Sequence, residues 1–418
     1  MFLSLPKLNR QTATILNRIV REAASQGIGI YLAGGIVRDT ILKKMNCDLD
    51  IVVESDAIVF AKEFAKKERL RLVAYPEFKT ATLFLKSGQR IDFASSRKEY
   101  YRKKGALPII SRGSLKDDLF RRDFSINAMA LNINNSGKGE LIDLFNGYED
   151  LKKRKIRVLH EKSFLDDPTR ILRAVRYEQR LGFSIERKTL TLLKKALKLN
   201  IFNEISKDRF LNELKKILNE GDVCPIVKRL DELNILLSVN EELDINLPVL
   251  RLIQRNVAEE KSRIKKLGAS IWFLCFMGML EGNEQGVLDS IGIRFNLGKE
   301  KRKSLLQIND TSLILKKLTN DSRKPSENFQ LLSGLTEEVL CYIWCRSSKE
   351  NIRVRLKQFL CDRDVRLSIK GEDIKKMGAR SGRQIGEIMN TIFLQKIDRS
   401  IKTRKQEIGV AKFLIESN

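Results

Sequence analysis

Apolar residues recur along the first part of the chain with two different periods, and the switching between them sets the expected architecture. Leu8, Leu16, Ile19 and Val20 share one stripe at helical spacing, which predicts a helix over residues 8–26. The short run from Ile28 to Leu32 reads as a strand, and Asp48 to Glu54 as a second. A helix-like segment, Val37 to Met45, lies between them, and another helix is expected from Ala57 to Lys67. Three β-rich runs follow: Leu70 to Tyr75, Thr80 to Leu85 and Arg90 to Ala94. Strands interleaved with helices predict an α+β head with a mixed sheet, ending near residue 150. From Glu149 onward the period is helical to the end, apart from a short β signal at Ile156 to Leu159.

Chemistry enters where the periods change. Gly34 and Gly35 stand between a strand and a helix, where glycine lets backbone N–H groups approach a phosphate. On the next strand Asp48 and Asp50 are two residues apart, so both project from the same face. Adjacent carboxylates repel unless a cation lies between them, and an all-oxygen pair suits Mg²⁺. Asp92, on the strand predicted from Arg90 to Ala94, is a candidate third carboxylate that helps take a proton. A phosphate cradle next to a metal-binding carboxylate pair points to phosphoryl chemistry. Ser96 to Lys116 is polar, basic and aromatic, and reads as a mobile loop over the site.

Composition narrows the partner. The 418 residues carry a formal net charge of +26, which calls for a polyanion. The most apolar run, Ile271 to Leu280, is far shorter than the roughly 20 residues of a membrane span, and the N-terminus lacks a signal-peptide pattern. Nucleic acid is therefore favoured over a membrane surface. The six cysteines form no C-x-x-C pair and there is one histidine, His160, so a zinc site is not expected. The thiols read as reduced, in a cytoplasmic protein. One histidine outside both motifs also excludes His-dependent nucleophilic catalysis. Metal and arginine chemistry must carry the reaction.

Leu32 to Asp50, together with Arg121-Arg122-Asp123-Phe124-Ser125-Ile126-Asn127-Ala128-Met129-Ala130, resembles the two signatures of the class II tRNA nucleotidyltransferases (CCA-adding enzymes) and bacterial poly(A) polymerases. These are a branch of the polymerase β-like nucleotidyltransferases. The resemblance implies a catalytic head over 1–150, a helical neck over 151–225 carrying a nucleotide-selecting helix, and a helical body and tail over 226–418 that bind tRNA. Gly371 to Ile374, Gly378, Gly382 and Gly386 to Ile388 are similar to the tail of tRNA-processing members. It implies attack of an RNA 3′-hydroxyl on the α-phosphate of CTP or ATP, with release of pyrophosphate. Asp48 and Asp50 then hold Mg²⁺; Gly34, Gly35 and Arg38 meet the triphosphate. Arg121 or Arg122 meets ribose or phosphate, Asp123 orients that arginine, and Asn127 meets a sugar hydroxyl. No obligate protein partner is implied.

Asp166-Asp167-Pro168-Thr169-Arg170 opens a helix, with Arg170, Arg173, Arg176 and Arg180 on one stripe. The stripe reads either as a solvated basic face or, with Asp167 and Arg170 one turn apart, as a base reader. A carboxylate accepts and a guanidinium donates. Cytosine and adenine offer an amine donor beside a ring-nitrogen acceptor, whereas guanine and uracil offer the reverse. Each mispaired group costs about 1–3 kcal/mol, so such a pair selects C and A without a template. The segment resembles the family's E-D-x-x-R and R-A-x-R-F motifs, with Asp166 in place of Glu and Tyr177 in place of Phe. This variant is similar to that of members adding only part of CCA, notably the A-adding enzymes. Addition of CCA, of CC or of A alone therefore remains open, with poly(A) synthesis and a non-catalytic RNA-binding protein as the competing readings.

Overall fold

The computed structural model describes residues 1–6, 8–44, 49–134 and 138–417, which form two compact units: 1–214 with 232–238, and 215–231 with 239–418. In the first unit, helix α1 (Arg10–Ser25) starts at Asn9, whose side chain accepts from the Thr12 N–H, and buries Ile15, Leu16, Ile19 and Val20. The strands are β1 (Phe2–Ser4), β2 (Ile30–Ala33), β3 (Leu49–Val53), β4 (Arg71–Tyr75), β5 (Thr80–Phe84), β6 (Arg90–Ser95), β7 (Arg97–Tyr100), β8 (Ile109–Arg112), β9 (Met129–Asn132) and β10 (Lys138–Asp143). Eight of them form one mixed sheet in the order β1-β10-β9-β2-β3-β6-β5-β4. Its described neighbours are antiparallel except β3 and β6, which run parallel with Asp50 opposite Asp92.

Helix α2 (Gly35–Ile41) leaves the end of β2, and α3 (Ala57–Glu68), capped by Asp56, packs on β4, β5 and β6 through Phe60, Ala61 and Phe64. The segment expected to be a mobile loop is instead an antiparallel hairpin of β7 and β8. Within it Glu99 is ion-paired with Arg97 and with Arg121, contacts that hydrophobic periodicity does not register. Helices α4 (Leu115–Phe120), α5 (Gly147–Lys152), α6 (Ser163–Asp166), α7 (Thr169–Leu181), α8 (Arg187–Lys198) and α9 (Lys207–Leu218) follow. The β signal near Ile156 becomes a two-residue strand, β11 (Lys155–Ile156), parallel to β12 (Ser184–Ile185). Gly182, at φ 69°, ends α7 in the left-handed conformation that turns the chain into β12.

The second unit is helical. Helix α10 (Cys224–Glu232) precedes α11 (Leu247–Glu259) and α12 (Lys261–Lys266), and α13 (Ile271–Leu280) packs on α11. A Cβ on Gly278 would lie 3.0 Å from the Ile253 side chain, so the glycine sets that close approach. The apolar run singled out in the sequence is α13, ten residues long and buried from Phe273 to Leu280. Among the described residues no helix is long and apolar enough to cross a membrane. Burial pushes the thiols of Cys275, Cys341 and Cys345 up to about 12. The C-terminal helices close over Ile369, Ile374, Ile388, Ile392 and Ala411. Glu407 is buried there and accepts from the backbone N–H groups of Ser368 and Ile369.

Candidate active site

The glycine turn is built for close approach. Gly34 has φ 84°, and a Cβ there would lie 2.5 Å from Nη1 of Arg122. The turn therefore brings an arginine against the backbone from which α2 departs. Arg38, 3 % exposed, donates through Nε and Nη2 to the carboxylate of Asp39 at 2.8 and 2.9 Å. Its Nη1 donates to Asn127 Oδ1 at 2.7 Å, and its guanidinium stands 5.3 Å from the Tyr177 ring. Arg38 and Asn127, each expected to touch the nucleotide, are thus also bonded to each other.

Asp50 and Asp92 lie side by side on parallel strands, roughly 4.8 Å apart in the sheet. The Thr82 hydroxyl donates to Asp92 Oδ1 at 2.5 Å, and Arg90 Nε lies 3.7 Å from the other oxygen. Asp48 lies outside the described residues. Among the described residues no three His, Cys, Asp or Glu side chains cluster. The pair Asp50 and Asp92 is all oxygen, which fits a hard divalent cation and not a thiolate-seeking one.

Helix α4 supplies the carboxylate that holds the arginine motif. Asp118, fully buried, accepts from Arg121 Nε and Nη2 at 3.0 and 2.8 Å through Oδ1, and from Arg122 Nη2 at 2.9 Å through Oδ2. Burial pushes its carboxyl up, but Arg122 and Arg121 outweigh this and leave it lowered. Asp123 was expected to orient these arginines; it holds Arg173 instead, accepting from Nε at 2.8 Å, and takes Asn127 Nδ2 at 3.0 Å. The correction has a geometric cause: Asp118 sits one helical turn before both arginines, whereas Asp123 follows the end of α4. Burial raises the Asp123 carboxyl, and Arg173 and Asn127 bring it down to about 2. From the hairpin, Glu99 accepts from Arg121 Nη1 at 3.2 Å and from the Tyr101 hydroxyl at 3.0 Å.

The arginine stripe of α7 is exposed only at its end, at Arg180. Arg170, 4 % exposed, donates to the Ser163 hydroxyl and to the Arg121 carbonyl, both at 2.7 Å. Arg176 is buried near Glu213, with Nη1 at 3.5 Å. The Tyr177 ring stands among the guanidiniums of Arg38, Arg173 and Arg176. Asp167 sits in the break between α6 and α7, where Thr169 and Arg209 donate to it. Sequence reasoning missed Asp118, Glu99 and Arg209. Asp118 was readable as an acid three and four residues before two arginines; Arg209 carried no local signal.

Gly34, Gly35, Asp50, Asp167, Arg170 and Arg209 line one cavity of about 600 Å³, whereas Asp92, Asp118 and Arg176 are not part of its wall. Seven arginines and six carboxylates share its wall, Asp50 among the latter. That is the charge arrangement a nucleoside triphosphate needs: cations for its phosphates and oxygens for the metal it carries.

Residues 30–157 match the poly A polymerase head domain, and residues 182–246 match the probable RNA and SrmB-binding site of polymerase A. The chain is 32% identical to the A-adding tRNA nucleotidyltransferase of Geobacter sulfurreducens, over 98% of this chain and 48% of that protein. It is 35% identical to the A-adding enzyme of Aquifex aeolicus, over 85% of this chain and 43% of that one. The chain thus spans about half the length of these two relatives. Against the A-adding enzyme of Halalkalibacterium halodurans it is 30% identical, covering 95% of this chain and 91% of the other. Among solved structures, the apo form II of a CCA-adding enzyme superposes with a TM-score of 0.79 at 30% identity, covering 98% and 97% of the two chains. The Thermotoga maritima CCA-adding enzyme complexed with tRNA gives 0.70 at 29% identity, covering 100% and 99%.

Proposed function

This chain belongs to the class II tRNA nucleotidyltransferases, the family of CCA-adding and A-adding enzymes, and from that membership we propose that it adds AMP to tRNA 3′ ends, without a template. The observation that carries the reading is the in-register pair Asp50 and Asp92 beside an arginine-walled cavity. The choice of A rests on the Asp166-Asp167-Pro168-Thr169-Arg170 sequence and on the A-adding enzymes among its relatives.

In the reaction the RNA 3′-oxygen forms a bond to the α-phosphorus, and the bond from that phosphorus to the bridging oxygen of pyrophosphate breaks. Asp48, Asp50 and Asp92 would hold Mg²⁺, whose charge lowers the pKa of the attacking hydroxyl and steadies the leaving pyrophosphate. Asp92, hydrogen-bonded to Thr82, takes the hydroxyl proton. Arg122 reaches the glycine turn and meets the triphosphate where Gly34 and Gly35 leave room. Asn127, fixed by Arg38 and Asp123, presents its remaining amide N–H to the ribose. Asp167 accepts from the exocyclic amine of adenine. The basic helical unit takes the tRNA body, and the setting is the cytoplasm.

Three tRNA transcripts test this, ending before CCA, after C and after CC, each offered ATP, CTP or both. The expected result is extension of the CC-ending transcript by one nucleotide with ATP alone. Extension of all three with both nucleotides would make it a full CCA-adding enzyme, and long tails on unrelated RNA would make it a poly(A) polymerase. No incorporation on any RNA would sink the reading.

A further inference from the structure

We propose that Arg209 is a positioning residue for nucleotide choice: it holds the Asp167 carboxylate in the orientation from which that group reads the incoming base. The inference rests on the transfer reading above. Asp167 occupies the break between two helices, with extended backbone at φ −134° and ψ 94°. Three donors converge on its Oδ1: the Thr169 N–H at 3.1 Å, the Thr169 hydroxyl at 2.6 Å and Arg209 Nη2 at 2.9 Å. Among the described residues no hydrogen bond reaches Oδ2. A carboxylate held through one oxygen presents the other, and both residues line the cavity.

Arg209 differs from Thr169 in kind. It is the charged donor of the three, so an ion pair adds to its hydrogen bond. It also arrives from α9, far along the chain, and its Nη1 donates to the carbonyl of Gly105. That carbonyl is itself fixed. Gly105 has φ 65°, its N–H donates to the Leu165 carbonyl at 2.9 Å, and a Cβ there would lie 2.6 Å from the Glu204 carbonyl oxygen. Arg209 therefore braces Asp167 against backbone that has no room to shift. Arg170, the guanidinium one turn away, directs its terminal nitrogens to Ser163 and the Arg121 carbonyl instead of to Asp167. Without Arg209, only the two Thr169 donors would resist rotation of the carboxylate about its Cβ–Cγ bond. The acceptor would then meet amine and carbonyl edges less selectively.

The test uses the full chain with Mg²⁺ and two readouts: equilibrium dialysis of ATP, CTP, UTP and GTP, and single-nucleotide incorporation into tRNA ending in CC. The variants are Arg209→Ala, Arg209→Lys, Asp167→Ala, the double Asp167→Ala/Arg209→Ala, and Lys207→Ala as an exposed control on the same helix. Arg209→Ala is expected to cut the preference for ATP over GTP and UTP about tenfold, the scale of one lost bond to a charged group. Lys at 209 should restore part of it, since it reaches Asp167 with charge but cannot bridge to Gly105. In the double variant the preference should fall no further than in Asp167→Ala, because Arg209 acts through Asp167. Equal loss across all four nucleotides, or additive losses in the double variant, would overturn the proposal and leave Arg209 as a brace for the fold. Should Arg209→Ala not fold, Arg209→Lys with unchanged preference overturns it equally. Dialysis needs no turnover: a chain that binds ATP selectively but extends no tRNA defeats the transfer reading while Arg209 is still judged.

Discussion

Cations do different work in the two units. In the first, Arg38, Arg170 and Arg176 are 3, 4 and 7 % exposed, and Arg121, Arg122 and Arg173 are held by Asp118 and Asp123. In the second, Lys261, Lys265, Lys266, Lys316, Lys317, Lys375 and Lys376 are exposed on helix surfaces. A guanidinium fixed by a buried carboxylate has a defined angle, and its value lies in where its remaining N–H groups point. An exposed ammonium is screened within about 8 Å at physiological salt, and its value lies in a field summed with its neighbours. The net charge of +26 therefore announced a polyanionic partner but said nothing of the site, where buried carboxylates fix the arginines in place.

If the contrast holds, single changes in the first unit should be severe and specific, and changes in the second graded and general. The largest effect belongs to Asp50→Ala. Incorporation should fall on the order of 10³-fold, the loss of several kcal/mol of charge stabilisation. Binding to tRNA and thermal stability should hold, since the neighbouring carboxylate Asp92 loses a repulsive partner. Near-normal turnover at saturating Mg²⁺ would refute the role given to Asp50.

Asp118→Ala comes next. Removing one buried carboxylate leaves Arg121 and Arg122 without their shared acceptor, a change of about 3–5 kcal/mol. A melting temperature indistinguishable from that of the parent would show that Asp118 is not the hub.

A smaller effect is expected from replacing Lys261, Lys265 and Lys266 together with Ala. The affinity for tRNA should weaken alike for all tRNA sequences. The slope of log affinity against log salt should become shallower by about one for each phosphate no longer neutralised. Altered base choice with an unchanged slope would erase the distinction between the units.

The smallest concerns His160 in the first unit. Burial, with Arg170 and Lys162 nearby, lowers it from 6.5 to about 4. The unfolded chain thus binds the proton first as pH falls, so the stabilising share of the neutral ring is complete above pH 6.5 and is lost as pH drops through about 4. His160→Asn should flatten denaturant midpoints across that window. An identical slope in variant and parent would remove His160 from the account.

How far the sequence spoke depended on the range of the interaction. Helices and strands built on local periodicity emerged within a few residues of their expected limits: α1 against 8–26, and β5 against Thr80 to Leu85. The glycine turn was legible because a positive φ restricts residue type. The β7–β8 hairpin was not, since its cohesion comes from Glu99 reaching Arg121 across 22 positions. The arginine stripe was legible as a stripe, but not the burial of Arg170 and Arg176, because their partners, the Arg121 carbonyl and Glu213, come from elsewhere in the chain.

The parallel pairing of β3 with β6 also has a kinetic meaning. Strands β4, β5 and β6 are successive antiparallel neighbours, closed by short connections, and such meanders assemble within microseconds. Joining β6 to β3 closes a much longer loop and must carry α3 across one face as it does so. Only at that step do Asp50 and Asp92 meet, against their mutual repulsion. Catalytic competence therefore waits on a long-range closure, as do the pairings of β2 with β9 and of β1 with β10, and recovery of activity on refolding should lag formation of the local meander.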